Sequence, residues 1–171
     1  LTLLVNDILD LSAVQAGGSN IKIEEINLIE LINQVIKKFN ILVEQENYQF
    51  IFTHPDNVVI KADYKRMYQV IYNLINNAIN YTGENKKVFI NITNNKKDYL
   101  IEIKDTGKGI KQEDIKHIWD KYYHSDKKHK RNNYGTGLGL SIVKNILQSH
   151  NYKYGVKSNS NGATFYFEIP K

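Results

Sequence analysis

Apolar residues recur at two periods along this chain, and those periods divide it into helices and strands. Leu28, Leu31, Ile32, Val35, Ile36 and Phe39 fall at helical spacing behind Asn27, a residue suited to capping a helix. Met67, Val70, Ile71, Leu74, Ile75, Ala78 and Ile79 repeat the pattern and predict a longer helix from about Asp63 to Tyr81. Leu138, Leu140, Ile142, Val143, Ile146 and Leu147 predict another from Gly137 to His150. Strand-like runs lie at Ile21–Glu24, Tyr48–Phe52, Val58–Ile60, Val88–Ile92, Tyr99–Ile103, Tyr154–Lys157 and Ala163–Ile169. The second and third flank a turn at His54-Pro55-Asp56, and the fourth and fifth a hairpin across Asn94-Asn95-Lys96-Lys97. Gln112–Trp119 reads as a short helix and Tyr122–Tyr134 as a polar loop. At the start, Leu1, Leu4, Val5, Ile8, Leu9 and Leu11 predict a helix over residues 1–16, broken by Gly17-Gly18-Ser19-Asn20. There is no internal repeat, and the order is α+β, mainly antiparallel strands covered by helices.

Composition narrows the class without naming it. At 171 residues the chain suits one domain with a short appendage: residues 1–18 as the tail of a helical module, and 19–171 as the domain. Hydrophobic residues at 42% and charged residues at 24% are ordinary for a globular protein. No run approaches the roughly 20 apolar residues that span a bilayer, and no signal peptide opens the chain. The first residue is Leu1, so the expectation is a piece of a longer protein. With no cysteine, disulfides and thiolate metal sites are excluded. The net charge of +5 is densest at Lys127-Lys128-His129-Lys130-Arg131 inside the polar loop. That run suits a solvated loop or a sheath for phosphates. It lacks the interleaved aromatics of a single-strand stacking surface, so no nucleic-acid partner is expected.

Three features carry chemistry. On the helix over 63–81, Arg66, Gln69, Asn73, Asn76, Asn77 and Asn80 fall within an arc of roughly 100°. Asparagine is costly inside a helix, about 0.6 kcal/mol each relative to alanine, which singles out this stripe. Two glycine boxes follow, Asp105-Thr106-Gly107-Lys108-Gly109-Ile110 and Gly135-Thr136-Gly137-Leu138-Gly139-Leu140, and the second runs straight into a helix. Backbone amides freed by glycine and the positive end of a helix both favour phosphate. A dinucleotide fold would want its glycines after the first strand, and no G-x-x-x-x-G-K-[ST] is present, so neither common nucleotide motif applies. Asp105 ends a strand, where a fixed carboxylate can accept from the exocyclic amine of adenine and would repel the carbonyl of guanine.

With these residues in view, the chain resembles the catalytic, ATP-binding domain of a bacterial two-component sensor histidine kinase. That domain belongs to the gyrase, chaperone, histidine kinase and mismatch-repair ATPase superfamily. Gln69–Ala78 resembles the asparagine box, Asp105–Ile110 the first glycine box, Ile118-Trp119-Asp120-Lys121-Tyr122-Tyr123 the aromatic box and Gly135–Val143 the second glycine box. Gly162–Phe167 resembles the closing segment, and residues 1–16 the end of the second dimerisation helix. The resemblance implies a Bergerat-type two-layer α/β sandwich, a mixed, mostly antiparallel sheet with three main helices on one face. It implies ATP and Mg²⁺ as cofactors, with Asn77 on the metal and Asn73 assisting at the phosphates. Asp105 would read adenine and Tyr81 would lie against it. Gly107 and Gly109 would let the backbone approach the nucleotide. Gly135, Gly137 and Gly139 would hinge a lid and meet the phosphates, with Ile110, Thr136, Leu138 and Leu140 completing the two boxes around ATP. The phosphoryl group would pass to a histidine on an upstream helical domain, of this subunit or its partner, and then to a response regulator aspartate. The parent would be a homodimer anchored in the plasma membrane with this domain in the cytoplasm; the fragment itself would be monomeric.

Two positions depart from that pattern. Asn80 stands where such kinases usually carry a lysine, and His124 where many have an arginine. Lys121, taken here as a catalytic candidate, and Lys127, Lys128, Lys130 and Arg131 are the cations available to compensate. The departures keep open a nucleotide-binding module that has lost transfer. A superfamily ATPase is opposed by Asn73, which stands where hydrolysing relatives align water with a glutamate. None of the five histidines precedes an acidic residue as the family's acceptor does, so the acceptor is expected upstream of residue 1. His150, at a helix end, reads as a cap or packing residue.

Overall fold

Alternating β-branched and aromatic residues build the central sheet. In the computed structural model, which describes residues 21–123 and 137–171, the strands are β1 (Ile23–Asn27), β2 (Gln49–Thr53), β3 (Val59–Asp63), β4 (Lys87–Asn94), β5 (Asp98–Lys104), β6 (Lys153–Asn159) and β7 (Gly162–Pro170). Five form one sheet in the order β2-β4-β5-β7-β6, with β2 parallel to β4 and the other pairs antiparallel. Register sets Ile90 opposite Ile103, Ile101 opposite Phe167, and Ile103 opposite Phe165, so one face is continuous core. The other face meets solvent, where Lys157 pairs with Glu102 at 3.7 Å and Lys153 with Glu168 at 3.6 Å.

Helices α1 (Leu28–Lys37), α2 (Asn40–Glu46), α3 (Tyr64–Tyr81) and α4 (Gly139–Ser149) complete the described elements. Asn27 caps α1 as its position suggests, accepting from the N–H groups of Ile29 at 3.1 Å and Glu30 at 3.2 Å. Asp63 does the same for α3, accepting from Arg66 N–H at 3.1 Å. The seven apolar positions read from α3 are all buried. With α1 and α4, this helix covers the apolar face of the sheet, a two-layer sandwich with a mixed, mostly antiparallel sheet. His150 is the C-cap of α4: its Nε2 accepts from Asp63 N–H at 3.3 Å, which leaves Nδ1 to donate to Ile146 O at 2.9 Å.

The structure adds to or changes the sequence reading at three places. The strands on either side of His54-Pro55-Asp56 do not pair with one another: β2 joins the five-stranded sheet, while β3 pairs antiparallel with β1 in a separate ribbon. Helix α2 carries no buried residue, so no apolar stripe announced it; it stops at Asn47, left-handed at φ 59°, whose N–H returns to Leu42 O. Residues 112–119 form successive turns rather than an α-helix. Their backbone bonds cluster on Lys111 O and Asp114 O rather than advancing residue by residue, as a stretch of two turns is too short to propagate. The helix expected over 1–16, the appendage over 1–18, the Lys127–Arg131 cluster, His124, Gly135 and Thr136 lie outside the described residues.

Candidate functional site

A cavity of about 220 Å³ opens between the C-terminal half of α3, the segment after β5 and the start of α4. Asn77, Asn80 and Tyr81 line it from α3, Asp105 to Ile110 (Thr106 excepted) from the first glycine box, and Leu140 from α4. Ala163 and Phe165 of β7 form its floor with Ile118, and Tyr123 and the pair Thr82 and Gly83 complete the wall.

Asp105 is the chemical centre of this wall, only 2% exposed. It follows the last residue of β5, and its own N–H donates to Ala163 O at 3.0 Å, so the ladder with β7 fixes its backbone. Its Oδ1 accepts from Gly107 N–H at 2.8 Å and Ala163 N–H at 3.2 Å. Oδ2 accepts neither bond. Among the described residues no fully buried side-chain polar atom lacks a partner, so Oδ2 keeps contact with the cavity. Burial pushes the Asp105 carboxyl above the usual range, against the backbone N–H groups of Gly107, Ala163 and Asp105 itself and the charge of Lys104, which favour the ionised form.

The glycines have reasons the sequence alone did not supply. A Cβ on Gly107 would lie 1.9 Å from Tyr81 O, and one on Gly109, which is left-handed at φ 74°, would lie 1.9 Å from Asn159 O. Both therefore let the box press against the protein's own backbone, at the end of α3 and at β6. Ile110 N–H is tied to the same region by Ser158 Oγ at 2.7 Å. Thr82 Oγ1, 2.9 Å from Thr106 Oγ1, donates to Lys87 O at 2.7 Å and fixes the rim beyond Tyr81.

The second box is placed differently. Leu138 is fully buried and is the N-cap of α4, where its apolar side chain makes no capping bond. Asn73 lies outside the cavity wall, its Oδ1 3.2 Å from where a Cβ on Gly139 would be, so Gly139 lets α3 and α4 close together. Gly137, left-handed at φ 71°, accepts at its carbonyl from Tyr122 N–H at 2.9 Å. Of the predicted site residues, Asn77, Tyr81, Asp105, Gly107, Gly109, Ile110 and Leu140 meet around the cavity. Asn73, Lys121, Gly137, Leu138 and Gly139 do not line it, and Gly135 and Thr136 are outside the described residues.

Ile118, Tyr123, Ala163 and Phe165 joined the wall without having been singled out, although each lies in a segment matched to a family motif. Thr82 and Gly83 follow the end of α3 in no motif, and only the fold brings them in.

Residues 62–171 match the family model described as histidine kinase-, DNA gyrase B- and HSP90-like ATPase. The chain is 31% identical over 169 residues to the sensor histidine kinase YclK of Bacillus subtilis (strain 168), covering 98% of this chain and 36% of YclK. It thus spans little more than a third of that relative's length. The catalytic domain of the histidine kinase ThkA superposes with a TM-score of 0.77 at 33% identity, covering 88% of this chain and 96% of that one. ThkA in complex with the response regulator protein TrrA gives 0.79 at 30% identity, over 98% of this chain and 46% of that one.

Proposed function

Because the chain belongs to the histidine kinase-, DNA gyrase B- and HSP90-like ATPase family, we propose that it is the ATP-binding catalytic domain of a sensor histidine kinase. It passes the γ-phosphoryl group of ATP to a histidine on an upstream helical domain. The observation that carries this reading is Asp105: a buried carboxylate with one oxygen held by backbone and the other left to the cavity. That oxygen accepts from the adenine amine, and guanine, which offers a carbonyl there, is refused. Tyr81, 44% exposed at the rim, lies against the base. The phosphates extend toward the start of α4, whose N-cap residue Leu138 is apolar and whose dipole favours anions. Gly135, Thr136 and Gly137 of the second glycine box are the further residues we assign to the phosphates.

Transfer then rests on positioning and charge stabilisation rather than on covalent help from the protein. The histidine nitrogen attacks the γ-phosphorus, the bond to the bridging oxygen breaks, and ADP leaves. Among the described residues no group of three or more His, Cys, Asp or Glu could hold a metal by itself. A Mg²⁺ ion suits such a site, since it keeps mostly water and phosphate oxygens and takes few from protein. The carboxamide oxygen of Asn77 in the cavity wall would hold it, and the ion supplies charge neutralisation at the phosphates. Asn73, beside the first turn of α4, has no basic oxygen to activate water, which favours transfer over hydrolysis.

The expected partners are a phosphoacceptor helical domain, for which residues 1–18 are the connecting end, and a response regulator. The ThkA complex with TrrA supports the second. No helix among the described residues is long and apolar enough to cross a membrane. We place the domain in the cytoplasm, with the dimeric parent anchored in the plasma membrane. Asn80 in the cavity wall supports the second reading, a module that binds ATP without passing phosphate on. The test is incubation with γ-labelled ATP and a separately expressed acceptor domain. Acid-labile label on that domain supports the kinase. Binding without label supports the second reading, and steady phosphate release without an acceptor would make it an ATPase.

A further inference from the structure

The segment after the first glycine box holds a buried carboxylate that the proposed transfer does not use. Asp114 is 9% exposed and, with Asp105, makes up the buried carboxylates among the described residues. It does not line the cavity. Its Oδ1 accepts a short hydrogen bond from the hydroxyl of Tyr123, which does line it. That bond, with lesser help from burial and nearby carboxylates, pushes the Tyr123 phenol up to about 12, so the hydroxyl keeps its proton at neutral pH.

The surroundings hold Asp114 as a fixed point. Its N–H donates to Lys111 O at 2.9 Å, and its carbonyl accepts from His117 at 2.8 Å and Ile118 at 3.1 Å. Trp119 anchors the same segment to the sheet, edge-on to Tyr154 at 5.0 Å and Phe165 at 5.7 Å. Beyond it the backbone turns sharply. Tyr122 is left-handed at φ 62° and 60% exposed, an unfavourable conformation for an aromatic residue, and its N–H is held by Gly137 O. An aromatic wall residue held by packing alone needs no buried carboxylate behind it, and desolvating one is costly unless it is bonded.

We infer that Asp114 is a positioning residue for the nucleotide cavity, acting through Tyr123. The carboxylate holds the phenol in the wall and does not itself touch the ligand. The inference rests on the nucleotide-binding reading above.

The experiment is calorimetric titration of the full chain with Mg²⁺ and a non-hydrolysable ATP analogue, for wild type, Asp114→Ala, Asp114→Asn, Tyr123→Phe and the Asp114→Ala/Tyr123→Phe pair. Thermal unfolding and the fluorescence of Trp119 follow the fold in parallel. Asp114→Ala is expected to raise Kd about tenfold, the loss of one hydrogen bond to a charged group. Asp114→Asn keeps an acceptor and stays within about twofold of wild type, Tyr123→Phe matches Asp114→Ala, and the pair is no worse than either single change. A merely structural role would lower the unfolding temperature and leave Kd alone. If Asp114→Ala does not fold, weak binding by Tyr123→Phe beside intact binding by Asp114→Asn carries the same conclusion. Unchanged affinity in Asp114→Ala or Tyr123→Phe, or single losses that multiply in the pair, overturns the inference. A wild type that binds no adenine nucleotide instead overturns the reading on which it rests.

Discussion

Replacing Asp105 by asparagine separates binding from folding, and the structure sets the sign of each effect. The two backbone bonds converge on Oδ1, from Gly107 at 2.8 Å and Ala163 at 3.2 Å. Asparagine can keep both with its carboxamide oxygen, which turns its NH₂ into the place of Oδ2. There it opposes the adenine amine, donor against donor. The lost bond to a charged acceptor is worth about 1.5–3 kcal/mol, which weakens adenine-nucleotide binding by roughly 10- to 150-fold. Stability moves the other way. Burial raises the folded-state pKa of Asp105 above 3.8, so native protein holds this proton more tightly than unfolded protein. Stability from this group is therefore greatest below pH 3.8 and falls as pH rises through the folded value. At neutral pH Asp105→Asn removes an ionised, buried group and leaves the protein as stable as wild type or more so. Calorimetry with an ATP analogue and with its inosine counterpart, beside thermal unfolding, reads both effects. The variant should lose the adenine analogue and move in preference toward the keto base. Affinity within about twofold of wild type, or a fall in melting temperature beyond about 4 °C (near 1 kcal/mol for a chain of this size), would refute the reasoning.

Other predictions follow from the same geometry. Asn77→Ala should abolish the Mg²⁺ dependence of nucleotide affinity, measured by titration with and without chelator; an unchanged metal dependence removes Asn77 from the metal. Gly107→Ala drives a Cβ to within 1.9 Å of Tyr81 O and should destabilise the fold by about 1–3 kcal/mol in denaturant unfolding. Asp63→Ala removes the cap of α3 and should cost about 1 kcal/mol at neutral pH. Burial raises the Asp63 pKa, but the N–H groups of Arg66 and Lys22 and the charge of Arg66 outweigh it, and the net shift is downward. Its contribution is thus present above pH 3.8 and lost as pH falls through the lowered value, so wild-type and variant stability curves should converge in acid. Curves that stay parallel would contradict that sign.

What could be read from the residues was what local chemistry enforces. The α3 stripe was legible because its apolar and polar positions separate cleanly at helical period, and Asn27 because a cap needs nothing beyond its neighbours. Helix α2 was not, since none of its side chains is buried. The partners of β2 and β3 were not, because pairing across the chain leaves no trace in either strand. The same divide runs through the site. Asp105 and its glycines stand together in sequence. No sequence motif marks Asp114; the packing of residues 111–123 against the sheet is what buries it beside Tyr123. Gly107 and Gly109 were noticed, yet the atoms that demand them, Tyr81 O and Asn159 O, are distant in the chain.

The most direct test of the account is calorimetric titration of the wild-type chain with Mg²⁺ and a non-hydrolysable ATP analogue, against the matching guanine analogue. The account predicts micromolar to millimolar binding of the adenine compound and none of the guanine compound. Equal affinity for both would contradict the role of Asp105, and absence of binding to either would contradict the nucleotide site itself.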